Sequence, residues 1–173
     1  ERLLISESIG IDFTAGVVRI TILILLGTLL FEAAGAVILA LRFIPEFGLL
    51  NGIYKGIFHS ITAFCNAGFD LMGLKGQFSS LTTNVGDYAV YITIMALIVI
   101  GGLGFAVWDD VYRSNSWRQL SLHSKMVIVV SAVLIVAGTV IIYALEHNNP
   151  HTMGEYREDV KILASLFQSI TPR

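Results

Sequence analysis

Phe58-His59-Ser60-Ile61-Thr62-Ala63-Phe64-Cys65-Asn66-Ala67-Gly68-Phe69-Asp70 is the stretch on which the fold turns. The apolar piece that leads into it, Ile53–Phe64, is only about 12 residues long and holds Lys55 and His59. A membrane-crossing helix needs roughly 20 mostly apolar residues, so this piece reads as a re-entrant, interfacial or core helix. The small and polar residues from Cys65 to Asp70 cannot continue a lipid-facing helix. Backbone groups that are not bonded within a helix are tolerated at membrane depth only inside protein or facing water.

Three stretches around it are long enough to span. Ala15–Phe43 carries Arg19, Glu32 and Arg42, and its part Ile20–Phe31 is apolar apart from Thr21 and Thr28. Tyr88–Trp108 is uncharged over about 21 residues, about 31 Å of helix at 1.5 Å per residue. Met126–Leu145 is uncharged over about 20 residues. The order is span, short helix, irregular segment, span, which is the pattern of a pore loop. Composition agrees: the 173 residues are 55% hydrophobic and 14% charged, with a mean hydropathy of +0.75. Soluble domains carry about 25% charged residues. A net charge of −2 provides no basic footprint for nucleic acid. The single Cys65 excludes an intramolecular disulfide framework and a multi-cysteine metal site.

A re-entrant loop leaves residues 1–14 and 109–125 on one side of the membrane. Together with Arg19 that side holds Arg2, Arg113, Arg118 and Lys125 in short segments. The positive-inside rule therefore favours a cytoplasmic connector at 1–14, a cytoplasmic loop at 109–125 and an extracytoplasmic pore loop. An internal repeat supports the same layout. Phe58-His59-Ser60-Ile61-Thr62 recurs as Phe167-Gln168-Ser169-Ile170-Thr171, and Gly27-Thr28 recurs as Gly138-Thr139, at offsets of 109 and 111. The expected fold is an all-α integral membrane protein built from span–pore loop–span repeats. Residues 15–108 form a complete span–pore loop–span repeat, and 126–173 form the first span and pore-helix start of the next. Further repeats are expected outside this chain.

The run Phe58–Phe69 resembles the pore loop of the Trk/Ktr/HKT superfamily of potassium transporters. Gly101-Gly102-Leu103-Gly104-Phe105 resembles the motif in the second helix of that family's repeat, and Ser169–Arg173 resembles the start of a following pore loop. The particular likeness is to the ion-translocating membrane subunit of bacterial Ktr or Trk systems. It implies a potassium-channel-like fold and conduction of K+ through a filter of backbone carbonyls from four loops, with Na+ admitted as a coupling ion. It also implies a multi-pass protein of the plasma membrane that forms a homodimer with a cytoplasmic nucleotide-binding regulatory subunit. Cys65 stands where the family often has asparagine.

By that resemblance Asn66, Ala67, Gly68 and Phe69 supply the carbonyls. A filter strand replaces an ion's water shell, and a glycine there adopts backbone angles that other residues resist. Alone, Gly68 would read more simply as a helix C-cap; between two spans the filter reading takes precedence. Asp70 stands at the outer mouth, either concentrating cations or serving as a solvated turn residue. Glu32 reads first as a carboxylate bonded to pore-helix backbone or a nearby hydroxyl, in the outer part of its helix, and second as an ion or proton site. Arg19 and Arg42 read as snorkelling anchors. Gly101, Gly102 and Gly104 favour close packing over a gating hinge. His147 and His151, with Pro150 between them, do not share a helix face.

Conduction, not catalysis, is the expected activity. Two alternatives stand beside it: a two-span tetrameric channel subunit, against which the repeat counts, and an intramembrane hydrolase using Ser60 or His59. Neither a nucleophile elbow nor a zinc helix accompanies those residues.

Overall fold

A computed structural model describes residues 2–73, 79–114 and 116–172, with side chains described at Val18 and from Thr21 onward. Its elements are helices: α1 (Arg2–Phe47), α2 (Leu49–Phe64), α3 (Tyr88–Leu103), α4 (Phe105–Arg113), α5 (Leu122–Glu146) and α6 (Glu158–Ile170). Short 3-10 turns occupy Ser80–Asn84 and Trp117–Gln119, and there is no strand among the described residues. The side chain of Arg19 lies outside the described residues.

The chain divides into two compact units, residues 1–31 and 32–173. In the first, Leu25, Leu26, Leu29 and Leu30 are all exposed. In the second, Leu39, Phe43, Met72 and Val90 are fully buried, with Tyr91, Ile94 and Leu97 nearly so. Thr21–Phe47 and Leu122–Glu146 are long and apolar enough to cross a bilayer. Along α5, Val129, Val133, Leu134, Val136 and Ile141 stand exposed. So much contiguous apolar surface is unfavourable in water and is at home in hydrocarbon.

The second expected span does not run through. Tyr88–Trp108 is broken at Gly104, where α3 and α4 meet at 90°. Gly104 has a φ of +86°, a left-handed value that side-chain-bearing residues resist. The 16 residues of α3 cover only about 24 Å. Asp87 starts this helix by accepting from the amides of Ala89 and Val90. It also takes the Arg42 guanidinium at 2.8 Å, so Arg42 is an ion-pair partner as well as a boundary residue.

Two glycines seat α2 directly on α1. A Cβ on Gly52 would come within 2.6 Å of Ile44 backbone, and one on Gly56 within 2.6 Å of the Ala40 nitrogen. Small residues four apart allow such close approach of helices in a membrane.

A second contact of α2 is duplicated in α6. The Ser60 hydroxyl donates to the Glu32 carbonyl at 2.7 Å and would lie 2.6 Å from a Cβ on Gly35, too close for a side chain there. The Ser169 hydroxyl donates to the Ile135 carbonyl at 2.9 Å and would likewise lie too close to a Cβ on Gly138. The glycine equivalent to Gly138 is therefore Gly35. Gly27, matched to it in the sequence, sits two helical turns away.

Candidate functional site

The site begins where α2 ends. Cys65 donates to Ile61, Asn66 to Ala63 and Ala67 to Thr62, closing the last turn of the helix. Asn66 has a φ of +51°, the left-handed cap conformation that asparagine tolerates. Cys65 is the C-cap and Asn66 the left-handed residue just after it, so Gly68, with its own φ of +73°, is not needed for that purpose. Nothing lies within 4 Å of a Cβ built on Gly68, so backbone conformation, not crowding, calls for glycine there.

From Cys65 to Asp70 the chain is exposed, with Phe69 at 70%. Among the described residues no donor reaches the carbonyls of Asn66, Ala67 or Gly68. The Phe69 carbonyl differs: it accepts from the Thr62 hydroxyl at 3.0 Å. Asp70 accepts from the amide of Met72 at 2.8 Å and so closes a local turn.

One face of α2 holds this segment from behind. Lys55, His59 and Thr62 lie four and three residues apart, which places them above one another on a helix. The Lys55 ammonium donates to the Leu71 carbonyl and lies 4.5 Å from the Phe47 ring centroid. His59 Nδ1 bonds the Lys55 carbonyl at 2.7 Å, and Nε2 accepts from the Leu71 amide at 3.3 Å. One ring nitrogen donates and the other accepts, so the imidazole is neutral. His59 is 2% exposed and packs edge-on against Phe43 and Phe58. In the sequence Lys55 and His59 count against a span, and His59 belongs also to the hydrolase alternative; their helical spacing is the available sign of this supporting role. A cleft of about 270 Å³ lies beside the segment, lined in part by His59, Thr62, Gly68, Asp70, Gln168 and Thr171.

The glycines of α3 meet the other end of the segment. A Cβ on Gly101 would lie 2.0 Å from the Phe64 carbonyl oxygen, and one on Gly102 would lie 3.4 Å from Asn66 Nδ2. Gly101 thus has no room for a side chain, whereas Gly102 is exposed and makes only an ordinary contact. Gly104 has open space around it and instead makes the bend. Trp108, just past the bend, packs edge-on to Phe64 and donates its indole N–H to the Ile100 carbonyl at 3.0 Å.

Glu32 stands level with the C-terminal end of α2. Its Oε1 lies 3.9 Å from Cys65 Sγ. The Ser60 hydroxyl goes to the backbone carbonyl of Glu32, not to its carboxylate. Ser60 and His59 are adjacent but serve different backbone groups, so they form no nucleophile–base pair. His147 and His151 follow the end of α5 in a turn.

The profile of the TrkH family, described as cation transport protein, matches residues 10–173. The chain is similar to the potassium/sodium uptake protein NtpJ of Enterococcus hirae, with 35% identity over 173 residues, 99% of this chain and 37% of that protein. It is 34% identical to Ktr system potassium uptake protein B of Bacillus subtilis, over 100% of this chain and 38% of that protein. It is 36% identical to its counterpart in Vibrio alginolyticus, over 100% of this chain and 37% of that protein. The chain thus spans less than two-fifths of the length of these relatives.

Proposed function

This chain belongs to the TrkH family of cation transport proteins, and from that premise we propose that it is part of the membrane subunit of a potassium uptake system. The Asn66–Phe69 segment serves as one quarter of a selectivity filter, with Asn66, Ala67 and Gly68 presenting free carbonyls to the ion. Phe69 presents a carbonyl steadied by Thr62, and a carbonyl oxygen has a second lone pair to offer. Asp70 lies at the outer mouth and adds negative potential there.

Residues 15–108 act as one span–pore loop–span unit, and 126–173 as the beginning of the next. The connector 1–14 and the loop 109–125 face the cytoplasm, and the pore loop faces outward across the plasma membrane. Lipid surrounds α1 and α5, and the remaining repeats of the same subunit close the ring around the ion. The relatives' names support the ion and the system: two are Ktr system potassium uptake proteins, and one takes up potassium or sodium. Sodium as a coupling ion, a homodimer and a cytoplasmic nucleotide-binding regulatory subunit complete the proposal. The protein translocates ions and carries out no covalent chemistry.

The observation that carries this reading is the exposed, non-helical segment around Gly68, held from behind by the Lys55–His59–Thr62 face of α2. A filter needs that combination of free carbonyls and a rigid back. The test is rubidium and sodium flux through the full-length protein in cells lacking their own potassium uptake. Gly68→Ser is expected to lose discrimination between the two ions or to abolish flux. Selective uptake at the wild-type level by that variant would defeat the filter reading.

A further inference from the structure

Glu32 carries a carboxylate that the architecture does not require. The two pore-helix seats are built alike: a serine hydroxyl on a carbonyl, with a glycine three residues later making room for it. In the first seat the carbonyl belongs to Glu32, and in the second to Ile135. The same hydrogen bond and the same close approach thus form with an aliphatic side chain in that position. The acid is superfluous to packing, yet an acid within a membrane-crossing helix is costly and ordinarily faces protein or water for a purpose.

Its location supplies the purpose. Glu32 lies fifteen residues before the end of α1, about 22 Å along the helix axis. The carboxylate is next to Cys65, the residue between α2 and Asn66, with Oε1 at 3.9 Å from the thiol. A neutral thiol is a weak donor, and among the described residues the carboxylate has no stronger partner. We propose that the Glu32 carboxylate is a binding site for a monovalent alkali cation at the α2 end of the Asn66–Phe69 segment, where an ion enters or leaves the carbonyl-lined path. The proposal rests on the filter reading above. It adds a charged station in the first repeat that its equivalent in the second repeat lacks.

The test uses the full-length protein and measures rubidium uptake against concentration. Glu32→Gln removes the charge and keeps the shape; Glu32→Ile installs the residue that the second repeat tolerates. Both are expected to reach the membrane in wild-type amounts and to raise the half-saturating rubidium concentration roughly fivefold or more. That is the scale of losing one unit charge a few ångströms from an ion in a partly wet site. Glu32→Asp is expected to stay within about twofold of wild type, since the charge is retained. Wild-type half-saturation in both Glu32→Gln and Glu32→Ile overturns the proposal.

If those variants do not accumulate, Glu32→Cys provides the second route. Placed beside Cys65 it makes a pair of thiols, and micromolar-range cadmium, a thiol-seeking ion, is expected to block rubidium uptake by that variant and spare wild type. Cadmium-insensitive uptake by Glu32→Cys also overturns the proposal. Gly68→Ser, assayed in parallel, separates the two ideas. Altered selectivity there with wild-type Glu32 variants removes only the cation station; unaltered selectivity there removes the filter.

Discussion

Two residues that look interchangeable in a turn do separate work here. Asn66 ends α2 in a left-handed conformation, and Gly68 bends the backbone again two residues later. The sequence shows one glycine after a short helix, and the cap reading competes with the filter reading for it. Only the dihedrals reveal that asparagine took the left-handed place after the cap. The support behind the segment was partly legible, because Lys55, His59 and Thr62 share a helical face. What no spacing reveals is that their partners are the backbone groups of Phe69 and Leu71. His59→Phe keeps the ring but leaves the part-buried Leu71 amide without its acceptor, a loss of about 1 kcal/mol. A lower thermal midpoint of the detergent-purified full-length protein, together with weakened rubidium-over-sodium selectivity, is the expected result. A lower midpoint with intact selectivity would make His59 a packing residue only.

At the scale of elements, the helices of the first and third expected spans were readable from apolar length alone, and the break in the second was not. Tyr88–Trp108 has no charge, so hydropathy sees one uninterrupted segment. The three glycines near its end mark the place without distinguishing packing from bending, since both favour a missing side chain. The structure divides the roles between Gly101 and Gly104. Gly101→Ala would drive a methyl group into the Phe64 carbonyl, 2.0 Å away. Overpacking of this kind typically costs about 1–3 kcal/mol, and a backbone obstacle places it at the upper end. Gly104→Ala meets no neighbour and costs backbone strain alone, about 1–3 kcal/mol in a φ-positive, extended-ψ conformation that is essentially glycine's. Gly101→Ala is therefore expected to lower the thermal midpoint more than Gly104→Ala; the reverse order would show that the bend, not the contact, limits stability.

Across the whole molecule, the duplication was visible but misaligned. Gly27-Thr28 and Gly138-Thr139 match as letters in aliphatic runs, while the physical equivalence is Gly35 with Gly138. The serine follows its carbonyl by 28 residues in one copy and by 34 in the other, and that extra length in the connection shifted the apparent register. If the two seats are energetically alike, Ser60→Ala and Ser169→Ala should each lower stability by about 1 kcal/mol, measured as matched shifts in thermal midpoint. A large effect at one site alone would mean that the copies have diverged in what holds them. The right angle at Gly104 bears, finally, on how such a protein is made. During synthesis, the insertion machinery meets Tyr88–Trp108 as one greasy segment with nothing to halt it. On the proposed re-entrant layout, its neighbour α2 must fold back into the bilayer before Phe64 can receive Gly101. On that layout the Gly101–Phe64 contact forms after the helices are threaded, and Gly101→Ala is expected to yield an inserted but less tightly assembled protein.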